Sequence, residues 1–204
     1  MKEILITASS HTKHDETYFS VDSNWFEYFE NYKVILLPND IGTIQDYLEH
    51  SKPSAIVLSG GGNVKKNKLS DNDYDKNREK VEEFLIDYSV YENIALIAVC
   101  RGMQKVLSYL EIDTNFVKNN IKIKENYDLE NSLIPNNKEN KNRTCFNNYS
   151  ISHNKKFDDR WIILCTDRFN NLLSLRHKKY KILCFMWHPE RDFTDHDLVK
   201  SIIN

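Results

Sequence analysis

A series of short apolar runs constrains the fold of this chain more than any other feature. Four runs lie in the first half of the sequence, within 2–7, 34–37, 55–58 and 95–99. The segments between them carry apolar residues at helical spacing. Continuous apolar sequence is typical of strands buried on both faces, and parallel strands are joined by helices. The pattern predicts an α/β domain around a parallel sheet.

The C-terminal half has a different pattern. Its candidate strands show alternation and are separated by turn-like residues; they lie at 144–151, 161–165, 172–175 and 182–187. Alternation is typical of antiparallel strands that turn one face to the core. We therefore expect some antiparallel strands here, irregular hairpins and surface loops at 115–142, and a closing helix at 193–203.

Two segments near the N-terminus carry further local predictions. Residues 8–11 are polar and are expected to form a loop after the first strand. Trp25, Phe26 and Phe29 recur at helical spacing and predict a helix with an aromatic core stripe, and 44–48 predicts another short helix.

Length and charge limit the classes of function. The chain has 204 residues, which is enough for a single domain over 1–204 and too short for two of ordinary size. With 28 Lys and Arg residues against 30 Asp and Glu, its net charge is −2. No nucleic acid and no membrane partner is therefore expected. Since the sequence shows no targeting segment or membrane-spanning run, we expect a cytoplasmic protein.

The four cysteines are Cys100, Cys145, Cys165 and Cys184, and their spacing matches neither a zinc site nor a redox pair. Three of them lie in apolar runs and are expected in the core. Cys100 instead ends the run at 95–99, and Gly102 opens a segment of helical spacing. A strand that stops at a nucleophile and turns into a helix is a nucleophile elbow, where the helix N-terminus favours a thiolate. Taken alone, this stretch fits a catalytic thiol and a buried structural cysteine equally well.

Glycine is concentrated in one place. The chain has five glycines, and three of them, Gly60, Gly61 and Gly62, directly follow the run at 55–58. Glycines at the carboxyl end of a strand let backbone N–H groups approach developing negative charge, as an oxyanion hole requires. A phosphate-binding loop would need a Lys-Ser/Thr pair or a glycine fingerprint, and neither is present. A flexible turn remains the alternative.

A candidate base for Cys100 follows the last strand, in the sequence Trp187-His188-Pro189-Glu190. A cysteine nucleophile needs a base, and the base needs an orienting carboxylate. An extended backbone from His188 to Glu190 would put both side chains on one side. This tripeptide alone favours a structural role. The glycine loop, the cysteine and the His-x-Glu sequence in one α/β chain nevertheless have roles that interlock.

The three motifs together resemble those of the class I glutamine amidotransferase-like superfamily, and within it the γ-glutamyl hydrolase group. The motifs are Ser59-Gly60-Gly61-Gly62, Cys100-Arg101-Gly102-Met103-Gln104 and Trp187-His188-Pro189-Glu190. The resemblance extends over nearly the whole chain. It implies a flavodoxin-like, three-layer sandwich in which helices flank a mostly parallel sheet.

The resemblance also implies roles for individual residues. Cys100 would attack the γ-carbonyl of a glutaminyl or γ-glutamyl group, His188 would act as general base and then acid, and Glu190 would orient the imidazole. No metal and no other cofactor would be needed. The implied oxyanion hole and glutamyl contact are the backbone N–H groups of Gly61, Gly62 and Arg101 and the side chain of Gln104.

One segment departs from the family pattern. Many γ-glutamyl hydrolases carry an Asn-Ser-Phe-His-like sequence where this chain has 144–150, and here the phenylalanine is retained but the histidine is not. Because this segment lines the glutamyl pocket in the family, Asn147, Asn148 and Tyr149 are candidate substrate contacts. A plain strand-edge role is an equal alternative.

The implied activity is hydrolysis of a small-molecule γ-glutamyl conjugate. The favoured substrate is γ-glutamyl-CDP-amidate, used in capsular phosphoramidate synthesis, ahead of γ-glutamyl-GABA or a related conjugate. A basic cluster, Lys65, Lys66, Lys68 and Arg78, follows the glycine loop and could meet a diphosphate or form solvated surface. The alternative is a glutaminase subunit that supplies ammonia to a separate synthetase, and a homodimer is also compatible with the sequence.

Overall fold

The computed structural model describes residues 1–65, 74–112, 114–118, 125–128, 133–134, 142–145, 149–153 and 157–203. Its strands, in chain order, are β1 (Glu3–Thr7), β2 (Ser9–Lys13), β3 (Glu16–Ser20), β4 (Lys33–Leu37), β5 (Ala55–Leu58), β6 (Ala95–Val99), β7 (Thr114–Lys118), β8 (Glu125–Asp128), β9 (Asn142–Cys145), β10 (Tyr149–His153), β11 (Trp161–Thr166), β12 (Leu172–His177) and β13 (Ile182–Phe185). The helices are α1 (Asn24–Tyr28), α2 (Ile41–His50), α3 (Lys76–Glu92), α4 (Arg101–Tyr109), α5 (Pro189–Asp192) and α6 (His196–Ile203).

A seven-stranded sheet forms the centre of the described structure, in the order β11-β12-β13-β6-β5-β1-β4. The five strands from β13 to β4 run parallel. At the edge of the sheet opposite β4, β12 pairs antiparallel with β13, and β11 pairs antiparallel with β12. Helices flank the sheet, with α3 and α4 packed on β5 and β6, and α6 packed on β13 and β6. The prediction of a mostly parallel sheet with antiparallel strands in the C-terminal half is confirmed.

The continuous apolar runs become the central strands because both of their faces are covered. Every residue of β5 and β6 is buried, and full burial of one Leu or Ile side chain stabilises a fold by about 1.5–3 kcal/mol. β4 is the exception. The sequence predicts a buried strand here, but among the described strands β4 lies at the sheet edge and pairs with β1 alone, so Leu36 remains 38% exposed.

The expected loop at 8–11 is instead part of a hairpin. β2 and β3 pair antiparallel over their full length. The two residues between them, His14 and Asp15, have φ angles of 53° and 61°, the left-handed pair that two-residue hairpin turns require. The sequence lacks the Asn-Gly or Asp-Gly signal of such turns, so the pattern gave no indication of a hairpin.

Two more predictions of strands need correction. The segment 144–151, taken as one strand, contributes to two, because β9 pairs with β8 while β10 pairs with β7. The region 115–142, expected to be irregular hairpins and loops, accordingly supplies β7 and β8 to regular antiparallel pairs.

Three predicted helices also differ from the structure. Trp25 and Phe29 are buried and stack on each other, but Phe26 is 51% exposed because the short α1 turns that side toward solvent. The closing helix predicted at 193–203 begins only at His196, as α6, because Phe193 and Asp195 have positive φ angles of 50° and 61°; the short α5 precedes the predicted range. The helix at 44–48 is longer than predicted and forms all of α2, whose N-terminus is capped by Asp40.

Cys145, Cys165 and Cys184 are buried and form no disulfide within the part of the chain that the structure describes, which confirms their expected place in the core. Within the described ranges, none of the helices has the length and apolar composition of a membrane span.

Candidate active site

Cys100 lies at a sharp junction between β6 and α4. Its φ and ψ are 53° and −106°, an unfavourable conformation for a residue with a Cβ that typically costs on the order of 1–3 kcal/mol. Its backbone N–H donates to the carbonyl of Phe185 at 2.7 Å, which ties the junction to β13. The side chain is only 6% exposed. The strand-to-helix geometry is that of an elbow that presents a side chain at the carboxyl edge of the sheet.

Gly102 makes this junction possible by its size. A Cβ at this position would lie 2.2 Å from the carbonyl oxygen of Leu58, the last residue of β5. The start of α4 therefore packs directly on backbone of the neighbouring strand. Position 102 needs a glycine because of this close approach. The residue with the unusual φ angle is Cys100, not Gly102.

His188 lies between Cys100 and Glu190. Its Nδ1 is 2.7 Å from Oε1 of Glu190, and the imidazole also forms a hydrogen bond with the Cys100 side chain. The exposed fractions of His188 and Glu190 are 4% and 1%. The backbone route differs from the expectation: the residues after His188 form α5 rather than extended chain, because Pro189 starts a helical turn. The turn brings Glu190 back beneath the ring.

The pKa of His188 reflects these contacts. Burial acts to lower it, but the hydrogen bonds with Cys100 and Glu190 outweigh burial and raise the pKa from 6.5 to about 9. The raised pKa of His188 favours the imidazolium form of this side chain at neutral pH.

Gly60, the first glycine of the loop, lies directly against the imidazole of His188. A Cβ on Gly60 would lie 2.7 Å from Cε1 of His188 and 3.5 Å from Cβ of Cys100. The loop backbone therefore packs against both reactive side chains. Gly61 and Gly62, with φ angles of 88° and 77°, continue the loop in a conformation that side chains rarely adopt.

Arg78 fixes the orientation of the loop peptides. Its guanidinium donates to the carbonyl oxygens of Ser59, Gly60 and Gly61 at 2.7, 3.1 and 2.8 Å. No cis peptide bond occurs in the described chain. In a trans peptide the N–H points opposite to the carbonyl. The N–H groups of Gly60, Gly61 and Gly62 therefore point away from Arg78, as donors to an oxyanion must.

A second arginine is linked to the first by Glu82. Glu82 accepts from Nε of Arg78 at 2.8 Å and from Nη1 of Arg101, and all three side chains are at most 2% exposed. Arg101 also donates to the carbonyl of Asn63, at the far end of the loop, at 3.1 Å. One buried ion network therefore holds both sides of the implied oxyanion hole. These sides are the glycine loop and the residue after Cys100.

This network corrects the prediction for the basic cluster. Arg78 is neither solvated surface nor free for a diphosphate, because the loop carbonyls and Glu82 use its donors. Lys65 is exposed, and Lys66 and Lys68 lie outside the described residues. The sequence did not indicate the role of Arg78, although its i,i+4 spacing to Glu82 was visible.

The structure describes only some of the predicted substrate contacts. Gln104 is buried in the first turns of α4 and Tyr149 is buried in β10. Asn147 and Asn148 lie outside the described residues. Burial, together with the nearby Cys100, raises the pKa of the Cys145 thiol, and β9 packs against α5. Within the described ranges, no group of His, Cys, Asp and Glu residues has the arrangement of a metal site.

Two cavities adjoin the site. The smaller, of about 110 Å³, is lined in part by Gly60, His188 and Glu190. The larger, of about 460 Å³, lies between the β2–β3 hairpin and the glycine loop. Ser9 and Gly61 line both cavities. The larger one therefore begins at the edge of the candidate catalytic centre.

Comparison with known proteins identifies relatives of this arrangement. Gamma-glutamyl-CDP-amidate hydrolase of Campylobacter jejuni subsp. jejuni serotype O:2 is 28% identical over 138 residues. The matched region is 68% of this chain and 62% of the relative, so the chain covers less than two thirds of that protein.

Solved structures show the same fold at low identity. A GMP synthase subunit protein from Thermoplasma acidophilum has a TM-score of 0.67 and 17% identity, over 100% of this chain and 92% of its own. A glutamine amidotransferase from Thermotoga maritima gives 0.61 and 14%, over 100% and 90%. PurLQS from Thermotoga maritima gives 0.62 and 13%, over 99% and 97%.

The sequence model of the family described as glutamine amidotransferase class-I matches residues 15–201. This range includes the glycine loop, the elbow and the His-x-Glu turn. The resemblance stated from the motifs is thereby confirmed, and the chain belongs to the class I glutamine amidotransferase family.

Proposed function

We propose that this protein is a cysteine-dependent hydrolase that cleaves the γ-glutamyl amide bond of a small conjugate and releases L-glutamate. The observation that carries the proposal is the position of His188. Its imidazole is hydrogen bonded to Cys100 on one side and to Glu190, at 2.7 Å, on the other. A nucleophile, a base and an orienting carboxylate in contact form the arrangement that acyl transfer requires.

The reaction has two halves. The Cys100 thiolate attacks the γ-carbonyl carbon, and the C–N bond of the tetrahedral intermediate breaks as His188 donates its proton to the leaving nitrogen. A γ-glutamyl thioester remains. His188 then takes a proton from water, the hydroxide attacks the thioester, and glutamate leaves as the thiolate reforms. Glu190 holds the imidazole in the tautomer that serves both steps.

The oxyanion of each intermediate accepts from backbone N–H groups of Gly61 and Gly62 in the glycine loop and from that of Arg101. Arg78 supports this role, since it holds the loop carbonyls on the opposite side. Removal of one such donor typically slows acyl transfer by about 100- to 1,000-fold. Gln104, Tyr149, Asn147 and Asn148 are the proposed contacts for the glutamyl group.

We propose γ-glutamyl-CDP-amidate as the substrate, ahead of γ-glutamyl-GABA. The support is the 28% identical relative that carries this activity in its name. The cavity of about 460 Å³ next to the loop also falls within the range of about 300–1,000 Å³ that small-molecule sites occupy. A leaving group much larger than ammonia can therefore be bound there.

A glutaminase subunit is the second candidate. The similarity in fold to the GMP synthase subunit protein from Thermoplasma acidophilum supports it. In this case the chain would hydrolyse glutamine and pass ammonia to a separate synthetase. Such a subunit depends on its partner, whereas the hydrolase acts alone.

The experiment uses the purified chain without any partner. We expect glutamate release from a γ-glutamyl anilide, and faster release from γ-glutamyl-CDP-amidate than from γ-glutamyl-GABA or glutamine. Cys100→Ala should abolish release. Cys184→Ala, which removes a buried thiol in β13, is the matched control and should retain activity. Release that requires an added synthetase would favour the glutaminase role, and release unaffected by Cys100→Ala would contradict the catalytic assignment.

A further inference from the structure

We propose that the cavity of about 460 Å³ between the β2–β3 hairpin and the glycine loop is a subsite for a neutral, polyhydroxylated part of the leaving group, such as the ribose of a nucleotide amidate or another sugar. The inference rests on the proposed function, because it assigns the part of the substrate beyond the scissile amide.

The position of the cavity follows from the contact between hairpin and loop. A Cβ on Gly61 would lie 3.4 Å from Cβ of Ser9. Both residues line this cavity and the smaller one beside His188. A substrate whose amide lies between Cys100 and His188 can therefore extend past Ser9 into the larger space.

The hairpin supplies a hydroxyl-rich wall. Ser10 pairs with Phe19 and Thr12 pairs with Thr17 across the two strands, and all four side chains line the cavity. Residues at alternate positions of paired strands share one face. The hydroxyls of Thr12 and Thr17 can donate or accept, and that of Ser10, which donates to Asp75, can still accept; beside one aromatic ring they suit a ligand with hydroxyl groups and an apolar ring face.

Asn39 provides a buried acceptor that the described residues leave unused. It follows β4, lines the cavity and is 5% exposed. Its Nδ2 donates to the Asp75 carboxylate at 3.0 Å, which fixes the orientation of the amide. Its Oδ1 has no hydrogen-bond partner among the described residues. Buried polar atoms rarely remain unpaired, and a ligand hydroxyl would satisfy this one.

The charged side chains that line the cavity already have partners, so this wall suits a neutral part of the leaving group rather than the diphosphate of a nucleotide amidate. Asp75 accepts from Ser10, Asn39 and the backbone N–H groups of Asn77 and Arg78. The guanidinium groups that line the cavity are ion paired within the buried network. His11 stacks on Tyr18. A polyamine or a phosphate would therefore find no free counter-charge among the described lining residues.

Binding to the full chain tests the subsite independently of catalysis. The probes are cytidine and glucose as neutral ligands, spermidine as a cation and inorganic pyrophosphate as an anion, measured by saturation-transfer NMR. We expect cytidine, glucose or both to bind more tightly than either charged probe. Binding of only one of the two identifies a nucleoside or a plain sugar as the source of the hydroxyls.

Two variants test the residues. Asn39→Leu should weaken binding of the neutral probe by about tenfold or more, the effect of one lost hydrogen bond in a buried site. Because this residue is buried, a second variant avoids dependence on its folding. Thr12→Trp, at an exposed hairpin position, should block the cavity and abolish binding, whereas Lys13→Trp, at the neighbouring exposed position, should not.

The outcomes separate this inference from the proposed function. If the chain releases glutamate from the anilide but binds neither neutral probe, the subsite is overturned and the hydrolase stands. If a neutral probe binds and responds to Thr12→Trp while no γ-glutamyl compound is cleaved, the cavity stands as a ligand site and the hydrolase is overturned. Tighter binding of spermidine or pyrophosphate, or equal effects of Thr12→Trp and Lys13→Trp, would also overturn the subsite.

Discussion

The glycine loop and His188 lie on either side of Cys100 and are fixed in different ways. Arg78 binds three consecutive loop carbonyls and is itself bonded to Glu82, which also binds Arg101. The imidazole is oriented by one carboxylate oxygen and by its packing on Gly60. The loop is thus part of a buried network of two arginines and their carboxylates, whereas the ring belongs to a separate buried pair with Glu190.

This difference predicts that substitutions in the two regions affect folding stability and activity differently. A buried ion network contributes to folding only while every charge is matched, so a change that disturbs the loop also disturbs the core. The histidine depends on local contacts at the end of β13. We therefore expect variants on the loop side to lose stability and activity together, and variants on the histidine side to lose activity with a smaller loss of stability.

Glu82→Gln should have the largest effect. The substitution keeps the shape but leaves Arg78 and Arg101 without the carboxylate that both of them bind. Breaking a buried ion pair from one side costs about 3–5 kcal/mol. We expect that loss in the free energy of unfolding, measured by urea denaturation, together with a large fall in kcat.

Glu83→Gln is the matched control on the same helix. Glu83 is 42% exposed and binds Lys105 at 2.7 Å, and exposed pairs contribute about 0–1 kcal/mol. Equal urea midpoints for the two variants would show that the loop does not depend on the network.

Gly60→Ala tests the contact between the glycine loop and His188. The added Cβ would lie 2.7 Å from Cε1 of His188, so the ring must move while the ion network stays intact. Misplacement of a catalytic group by about 1 Å can cost roughly 100-fold in rate. We expect kcat to fall by about 10- to 100-fold, with a smaller loss of stability than in Glu82→Gln.

The control for that substitution is Gly42→Ala in α2, where the new Cβ meets an ordinary contact at 3.7 Å. Because glycine in a helix is less favourable than alanine by about 0.5–1 kcal/mol, this variant should be slightly more stable with unchanged kcat. A Gly60→Ala enzyme with the wild-type rate would show that the ring does not depend on the loop.

The same two regions show how much of the molecule the sequence could predict. The central strands were found because burial on both faces leaves a continuous apolar run, as in β5 and β6. The β2–β3 hairpin was missed because its turn uses His14 and Asp15 rather than a glycine pair. β4 was found but assigned too much burial, since its place at the edge depends on strand order, which a local pattern does not contain.

For the site, the sequence indicated the residues whose chemistry is distinctive and missed those that act through geometry. Cys100, His188 and Glu190 stood at strand ends, where function is expected. Arg78 and Glu82 were treated as part of a polar surface or not singled out, because a charged residue on a helix is ordinarily exposed. Only the packing of α3 against the glycine loop shows that these charges are buried.

The smallest expected effect concerns the proton on His188 and compares its two hydrogen bonds. They raise its pKa from 6.5 to about 9 against the opposing influence of burial. A pKa raised by folding stabilises the protein fully below the unfolded value near 6.5, and this contribution is lost as pH rises through about 9. In the proposed reaction the same proton is donated to the leaving nitrogen, so the rate should fall as the pH rises through about 9. In Cys100→Ala the bond to the thiol is absent and burial gains weight, so NMR titration of the ring should give a pKa below that of the wild type. Glu190→Gln should also lower it by removing the negative charge at Nδ1. An unchanged His188 titration in Cys100→Ala would mean that the imidazole is held from the Glu190 side alone, and the thiol would then lack the base that the proposed reaction needs.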